Sequence, residues 1–295
     1  MSLAYHEFSI ILERRLSIMK HHYVEVAEGY RIHYVREGQG TPVLLLHGWP
    51  GFWYDWCKVI PLLSKEADVI VPDFRGFGLS DKPKIEPVRG YGPAVLAKDI
   101  IEILDHLGLD EVIVAAHDIG ATIAQTLAKT YSSRVKSLVL FNPPYPGIGA
   151  RRFEPEVQTE FWYQHLHNLD LFEQLFADEP LAAQKYVRYF YEHWSGEKGT
   201  MEENELQFIL EMYALPGAML SSIMYYRARA ADKTKQASVS SPGSPILHET
   251  SVFWGEADPV MKVEWSDRLG EFFEHVTLFL WRRQRKRLKG FSGIY

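Results

Sequence analysis

The sequence predicts an α/β protein with a mostly parallel sheet, helices on both faces and an inserted helical cap. Apolar strands alternate with helical segments, which is typical of parallel strands joined by crossover helices. The 295 residues are 46% hydrophobic and 24% charged, so a packed core is expected. The alternation stops after Pro143-Pro144, and a helical stretch rich in aromatic residues follows before strands resume. We interpret that stretch as the cap.

The first half of the chain supplies most of the predicted sheet. Residues 21–38 read as two strands around a Glu28-Gly29 turn. Four later runs have the apolar character of strands buried in a parallel sheet, namely TPVLLLHGW, ADVIVPDFRGFG, EVIVAAHD and RVKSLVLFNPP. Apolar residues at helical spacing and a stop at Gly108 predict a helix in GPAVLAKDIIEILDHLGL. A second helix, IGATIAQTLAKTYS, follows EVIVAAHD.

The second half resumes the pattern after a loop rich in Ser, Pro and Gly. TSVFWGEADP and HVTLFL read as strands, and VEWSDRLGEFF between them reads as a helix. We therefore divide the chain into an N-terminal extension (1–20), a first core part (21–145), the helical cap (146–232), a second core part (233–280) and a basic tail (281–295).

Composition excludes several classes of protein. The net charge of -6 gives no reason to expect nucleic-acid binding, and we interpret the basic tail as a solvated segment. Cys57 is the single cysteine, so a reducing, cytoplasmic location is expected. No apolar run approaches the roughly 18 residues that span a bilayer, and no secretory signal pattern opens the chain. No cofactor or metal is expected, and the sequence does not indicate an oligomeric state.

A strand-to-helix junction carries the first chemical motif. Residues 116–120 read Ala-His-Asp-Ile-Gly, which resembles the nucleophile elbow G-x-S-x-G, in which small residues flank a nucleophile on a strained turn. Asp118 stands in the place of Ser, and Ala116 in the place of the first Gly. An Asp at this point is also a common helix N-cap. This motif alone supports a nucleophile and a helix cap about equally.

Three further motifs follow strand ends. HGWPGFWYDW can aim the backbone N–H of Trp49 at the same point as the N–H of Ile119, and two converging donors make an oxyanion hole. PDFRGFGLSDKP is a Gly-rich loop, which is also typical of a surface turn. WGEADPV places Asp258 after a late strand, where an acid can orient a histidine. An Asp before Pro is also ordinary turn chemistry.

HGWP, DFRGFGLSDKP, AHDIGA and WGEADPV, in this order along the chain, resemble the motifs of the epoxide hydrolase and haloalkane dehalogenase branch of the α/β-hydrolases. The resemblance covers roughly residues 21–278. It implies the α/β-hydrolase fold, Asp118 as nucleophile and Asp258 as the acid that orients a catalytic His. It also implies substrate contacts from residues around the nucleophile: His47, Trp49, Pro50 and His117.

An aspartate nucleophile suits attack at a saturated carbon, because its carboxylate is already ionised at neutral pH. Attack forms an alkyl ester, which water then hydrolyses. A halide leaving group needs donors around it, and Ile119 has no side-chain donor. An epoxide oxygen needs a proton instead. The resemblance maps the cap tyrosines that supply it onto Tyr163 and Tyr226, with Tyr225 as the alternative if the register differs by one residue.

We therefore predict an epoxide hydrolase that acts on a small hydrophobic epoxide with water. Each tyrosine could instead serve cap packing. The competing classes are a haloalkane or haloacid dehalogenase, and a non-catalytic ligand-binding homologue. The family's catalytic His is expected in the 280s, where the sequence reads WRRQRKRLKG, and no His follows His275. A frame shift near Phe279 would explain this sequence, and so would a natural protein that has lost the catalytic base. In either case we expect slow turnover.

Overall fold

The computed structural model of the chain describes residues 19–195, 201–232 and 243–281. The predicted N-terminal extension lies almost entirely outside the described residues. The Ser/Pro/Gly-rich loop at 233–242 and the basic tail from 282 onwards also lie outside them, and so does the segment where a catalytic His was expected. What the sequence suggests about these segments therefore remains a prediction.

Eight strands of the described chain form one sheet. They are β1 (His21–Glu25), β2 (Arg31–Gly38), β3 (Thr41–Leu46), β4 (Ala67–Pro72), β5 (Val112–His117), β6 (Val135–Phe141), β7 (Thr250–Gly255) and β8 (Val276–Trp281). Their order across the sheet is β1-β2-β4-β3-β5-β6-β7-β8. The pairs β1–β2 and β2–β4 are antiparallel, and the remaining neighbours are parallel. The predicted mostly parallel sheet is confirmed.

The α-helices fall into two groups along the chain. The first group is α1 (Ile60–Leu63), α2 (Pro87–Tyr91), α3 (Pro93–His106) and α4 (Ile119–Thr130). The second group is α5 (Pro155–His167), α6 (Leu171–Phe176), α7 (Pro180–His193), α8 (Glu203–Tyr213), α9 (Ala218–Ser222) and α10 (Met224–Ala231). Shorter 3-10 segments span Trp53–Trp56, Ser132–Arg134, Pro146–Phe153 and Val263–Glu271. The last of these lies in the segment VEWSDRLGEFF, which the sequence predicted as a helix.

All of the second group lies between β6 and β7, so the described residues of 146–232 form a helical insertion in the sheet topology. No single helix among the described residues is long and apolar enough to cross a membrane. Only Glu203–Tyr213 and Ala218–Ala231 taken together reach that length and composition, and they are bent by 93° relative to each other.

The sheet centre is the core of the molecule. Every residue of β4 is buried, because this strand is covered by a neighbouring strand on each side and packed on both faces. Leu96, Ile100 and Ile103 on α3 are also buried, since their spacing of three or four residues puts them on one helix face. Gly108 has a φ of 66° just past that helix, a conformation that glycine adopts without strain. This arrangement brings the carboxyl ends of β3, β5 and β6 side by side.

Candidate active site

Asp118 lies on a tight turn between β5 and α4, and its backbone is in an unusual conformation, with φ 48° and ψ -117°. The next helix approaches β3 closely. The Gly120 N–H donates to the His47 carbonyl at 3.0 Å, and a Cβ at Gly120 would lie only 2.6 Å from that oxygen. Such a contact is too short for any side chain. Gly120 therefore allows the strained turn that lifts Asp118 out of the sheet.

The turn after β3 packs directly on Asp118. A Cβ at Gly48 would lie 2.7 Å from the Asp118 Cβ and 3.1 Å from its Oδ2. It would also lie 3.1 Å from Nδ1 of His117. Because the glycine has no side chain, the backbone of this turn can reach the carboxylate.

The two backbone groups predicted to form an oxyanion hole both lie at the Asp118 carboxylate. The Trp49 N–H donates to Oδ2 at 3.0 Å, and the Ile119 N–H also hydrogen-bonds the carboxylate. Burial raises the pKa of Asp118 above its ordinary value, whereas these two N–H groups and the charge of Arg229 act in the opposite direction. The residue as a whole is only partly buried.

His47 is engaged by the backbone on both ring nitrogens. Its Nδ1 lies 2.8 Å from the Gly48 carbonyl, and its Nε2 lies 3.1 Å from the Phe74 backbone N. A carbonyl only accepts and an N–H only donates, so Nδ1 carries the proton and Nε2 accepts. Burial lowers the pKa of His47 to about 4, which keeps the ring neutral. His47 thereby ties the turn after β3 to the loop after β4.

Asp258 lies beyond the end of β7, and hydrogen bonds occupy both of its oxygens. Oδ1 accepts from the backbone N–H groups of Val260 and Met261, each at 2.8 Å, and Oδ2 accepts from the side-chain amide of Asn142. The Asn142 Oδ1 in turn accepts from the Gly255 N–H at 3.0 Å. Burial raises the pKa of Asp258, and these donors act against that rise.

Sequence reasoning missed Asn142, which follows β6 with a positive φ of 41°. Its position directly after a central strand, between Phe141 and two prolines, was the available signal. His117 is the last residue of β5 and interacts electrostatically with Asp258. Burial lowers the pKa of His117 to about 4. The structure thus brings Asp258 and Asn142 near His117, the residue that precedes Asp118.

The helical insertion brings both predicted tyrosines to the other side of Trp49. The Tyr163 ring stacks on the Trp49 ring with centroids 5.3 Å apart, and the Tyr226 ring meets it edge-on at 5.9 Å. The two phenol groups hydrogen-bond each other, and Gln164 Nε2 donates to the Tyr163 hydroxyl at 3.0 Å. Burial raises the pKa of each phenol, and the nearby negative charge of Asp118 raises both pKa values further. Both phenols therefore keep their protons at neutral pH.

Tyr225, the alternative in the sequence prediction, has a different partner. Its hydroxyl accepts from Arg229 at 3.3 Å, and its ring meets the Tyr226 ring edge-on at 5.7 Å. Tyr226, and not Tyr225, is the residue that hydrogen-bonds Tyr163.

Aromatic side chains of the helical insertion enclose Trp49 almost completely. Its Nε1 lies 3.3 Å from the Ser222 hydroxyl, and the adjoining Pro50 carbonyl lies 3.5 Å from the Tyr191 hydroxyl. The rings around Trp49 are His167, Tyr186, Phe190 and Trp194, besides the two tyrosines. Two small cavities lie to the side of this cage, and Asp118 lines neither. Aromatic rings thus surround Trp49, whose backbone N–H contacts the carboxylate, and the carboxylate also interacts with the two phenols and with the charge of Arg229.

Comparison with known families gives two matches. A family model described as "alpha/beta hydrolase fold" matches residues 41–282, and one described as "Epoxide hydrolase N terminus" matches residues 11–56. The first covers most of the chain, including the elbow and both sides of the helical insertion.

Similar proteins carry the same description. "Soluble epoxide hydrolase" of Corynebacterium sp. (strain C12) is 30% identical over 250 residues, which are 80% of this chain and 85% of that protein. "Epoxide hydrolase 4" of Mus musculus is 30% identical over 259 residues, 85% of this chain and 70% of that protein. The crystal structure of a Bacillus megaterium epoxide hydrolase with an inhibitor superposes with a TM-score of 0.76 at 25% identity, covering 88% of this chain and 91% of that one.

Proposed function

The chain belongs to the α/β-hydrolase fold family and to its epoxide hydrolase branch, and on that premise we propose that it opens an epoxide to a vicinal diol through an ester on Asp118. One observation carries the proposal. The carboxylate has the backbone donors of Trp49 and Ile119 on one side, and the phenols of Tyr163 and Tyr226 interact with it electrostatically. That combination supplies a nucleophile, an anion-stabilising site and proton donors.

In the first step an Asp118 oxygen attacks an epoxide carbon, and the bond from that carbon to the ring oxygen breaks. The released alkoxide takes a proton from Tyr163 or Tyr226. The hydrogen bond between the two phenols lets one of them stabilise the negative charge on the other after the proton has left. The product of this step is a hydroxyalkyl ester of Asp118.

In the second step water attacks the ester carbonyl carbon. The tetrahedral oxyanion is stabilised by the Trp49 and Ile119 N–H groups, and a base removes the proton of the water. The bond to the alkyl oxygen then breaks, and this oxygen takes the second proton of the attacking water, which releases the diol and restores the carboxylate. The proton held by the base returns to the tyrosinate formed in the first step. Because the oxyanion forms on the side chain of Asp118 itself, donors that already hold its carboxylate are suitably located.

Epoxide opening fits the side chains around Asp118 better than halide release does. Ile119 provides only its backbone, so it offers no side-chain donor to a departing halide. The apolar aromatic cage favours a small hydrophobic substrate, with the helical insertion acting as its cap. Halide release from a haloalkane would instead support a dehalogenase.

We further propose that hydrolysis of the ester is slow in this chain of 295 residues. No His follows His275 in the sequence, and His275 precedes β8. His117 interacts with Asp258, but the pKa of about 4 that burial gives its ring makes it a weak base. The covalent ester should therefore accumulate.

Intact-mass measurement after addition of styrene oxide tests this proposal. The protein mass should increase by the mass of one epoxide, and Asp118→Ala should show no increase. Diol released over many rapid turnovers would show that another base serves. An unmodified protein and no diol would overturn the proposal, and binding of the epoxide without either product would favour a non-catalytic homologue.

The role of the phenols is tested by the double variant Tyr163→Phe and Tyr226→Phe. Loss of the proton donor should slow ester formation by about 100-fold, the range usual for general acid catalysis. Tyr189→Phe is the matched control, because Tyr189 is an exposed tyrosine of α7. Equal rates for the double variant and this control would remove the tyrosines from the reaction.

A further inference from the structure

Two arginines of the helical insertion lie beside the proposed proton donors. Arg152 is near the end of the 3-10 segment Pro146–Phe153, and its Nη2 donates to Gln164 Oε1 at 3.0 Å. The same Gln164 donates to the Tyr163 hydroxyl. Arg229 is on α10, and its Nη1 donates to the Tyr225 hydroxyl at 3.3 Å. Each guanidinium is thus one side chain away from a tyrosine of the site.

Neither arginine forms a salt bridge with an acid among the residues that the structure describes. Their chain neighbours do so: Arg151 pairs with Asp267 at 2.9 Å, and Arg227 on α10 pairs with Glu173. Among the described residues, the hydrogen-bond and ring partners of Arg152 and Arg229 are neutral side chains and aromatic rings. Arg152 and Arg229 are thus two cations near Tyr163 and Tyr226 whose hydrogen bonds, among the described residues, go to neutral side chains.

The two charges are close enough to act on each other and on the site. Burial, and after it the charge of Arg229, lower the pKa of Arg152, which also interacts with Tyr163 and Tyr226. The charge of Arg229 acts on Asp118 itself. The two like charges repel each other, and an anion placed near both would relieve that repulsion.

We propose that Arg152 and Arg229 form a subsite for an anionic group of the substrate, so that the preferred epoxide carries a carboxylate a short distance from its ring. This proposal rests on the proposed function, because it names the substrate class of the same site. Guanidinium groups bind carboxylates through paired N–H donors, which gives both affinity and orientation. Arg229 is exposed to solvent, and Arg152 is half-buried.

Binding of the anionic group would orient the rest of the substrate. A carboxylate held by the two guanidinium groups leaves the epoxide end of the substrate directed to the phenols and Asp118. The anion itself does not react, so its contribution should appear as a preference between substrates and not as a new chemical step.

The kinetic test compares styrene oxide bearing a para-carboxylate with its para-carboxamide, which has nearly the same shape but no charge. The rate of ester formation per unit concentration should favour the carboxylate by about tenfold, and Arg229→Gln and Arg152→Gln should each reduce that preference. The ratio of the two substrates cancels any effect of the variants on the reactivity of Asp118. Arg188→Gln removes a cation of α7 that pairs with Glu203, and it should leave the ratio unchanged.

A binding measurement separates this proposal from the proposed function. Titration calorimetry with the para-carboxylated and para-carboxamide diols needs no chemistry. Tighter binding of the carboxylated diol, lost in Arg229→Gln and weakened by added salt, would support the subsite even if no ester forms. Arg229→Lys, which keeps the charge, should retain part of the preference. Equal affinity of the two diols, or a preference that survives loss of both arginines, would overturn the subsite.

Discussion

Asp118 and Asp258 are two partly buried carboxylates at the same edge of the sheet, yet their surroundings differ. Asp118 has a positive φ and receives backbone hydrogen bonds from Trp49 and Ile119, with one side open to the phenols. Asp258 receives two backbone N–H groups on one oxygen and the Asn142 amide on the other. The same side chain is therefore available for reaction at one position and occupied by hydrogen bonds at the other.

The comparison shows that burial alone does not mark a nucleophile. Burial raises the pKa of both residues, and hydrogen bonds act against that rise in both. The two carboxylates differ in which segments of the chain supply their hydrogen-bond donors. Those of Asp118 come from two separate turns that meet at its carboxylate, whereas two of those of Asp258 come from the turn that it closes.

Gly48→Ala should have the largest effect on the reactivity of Asp118. The new Cβ would lie 2.7 Å from the Asp118 Cβ, so the carboxylate or the turn must move. Misplacement of a reacting group by about 1 Å costs on the order of 100-fold, and we expect that loss in the rate of ester formation by intact mass.

Gly270→Ala is the control for Gly48→Ala, because its Cβ would meet nothing within 4 Å. It should react with styrene oxide as the unchanged protein does. A Gly48→Ala protein of unchanged rate would show that the close contact with Asp118 is not needed to aim the carboxylate.

Asp258→Asn should mainly change stability. Its amide would face the Asn142 amide, so one donor is left without an acceptor, and the free energy of unfolding should fall by about 1–3 kcal/mol. Urea unfolding measures the loss. Ester formation should slow much less than in Gly48→Ala.

The double variant Asp258→Asn with Asn142→Asp restores an acid–amide pair and should recover most of the lost stability. Recovery would assign the role of Asp258 to this pair. If Asp258→Asn instead blocked ester formation as strongly as Asp118→Ala, the distinction between the two carboxylates would be wrong.

The pH dependence should give the smallest effect. The raised pKa of Asp118 means that the folded protein takes up a proton at a higher pH than the unfolded chain does. Ester formation should therefore fall on acidification with a midpoint above 3.8, the ordinary value for this residue. Ionised Asp118 also destabilises the fold, so Asp118→Asn should be the more stable protein at pH 7.

That stability difference should shrink as the pH falls to the ordinary value and below, where the carboxyl is protonated in both states. Parallel urea titrations of the two proteins at several pH values measure it. A gap that widens on acidification would mean that hydrogen bonds, and not burial, dominate the pKa of Asp118.

Local sequence predicted the parts of the site that depend on neighbouring residues. The elbow at 116–120 could be read because tight turns require small residues at fixed offsets, and the structure has Asp118 on such a turn. The helix after it followed from apolar spacing. Asn142 could not be found in this way, because its partner Asp258 lies 116 residues away.

By itself the sequence determined the order of strands and helices, the strained turn and the chemical type of the proposed nucleophile, since these follow from local periodicity and residue type. Tertiary structure alone decided which charges are paired. Arg151 and Arg152 are adjacent in the chain, yet within the described part of the structure only Arg151 forms a salt bridge, with Asp267. Such pairing depends on distances between distant segments, which packing sets and which no local pattern of residues encodes.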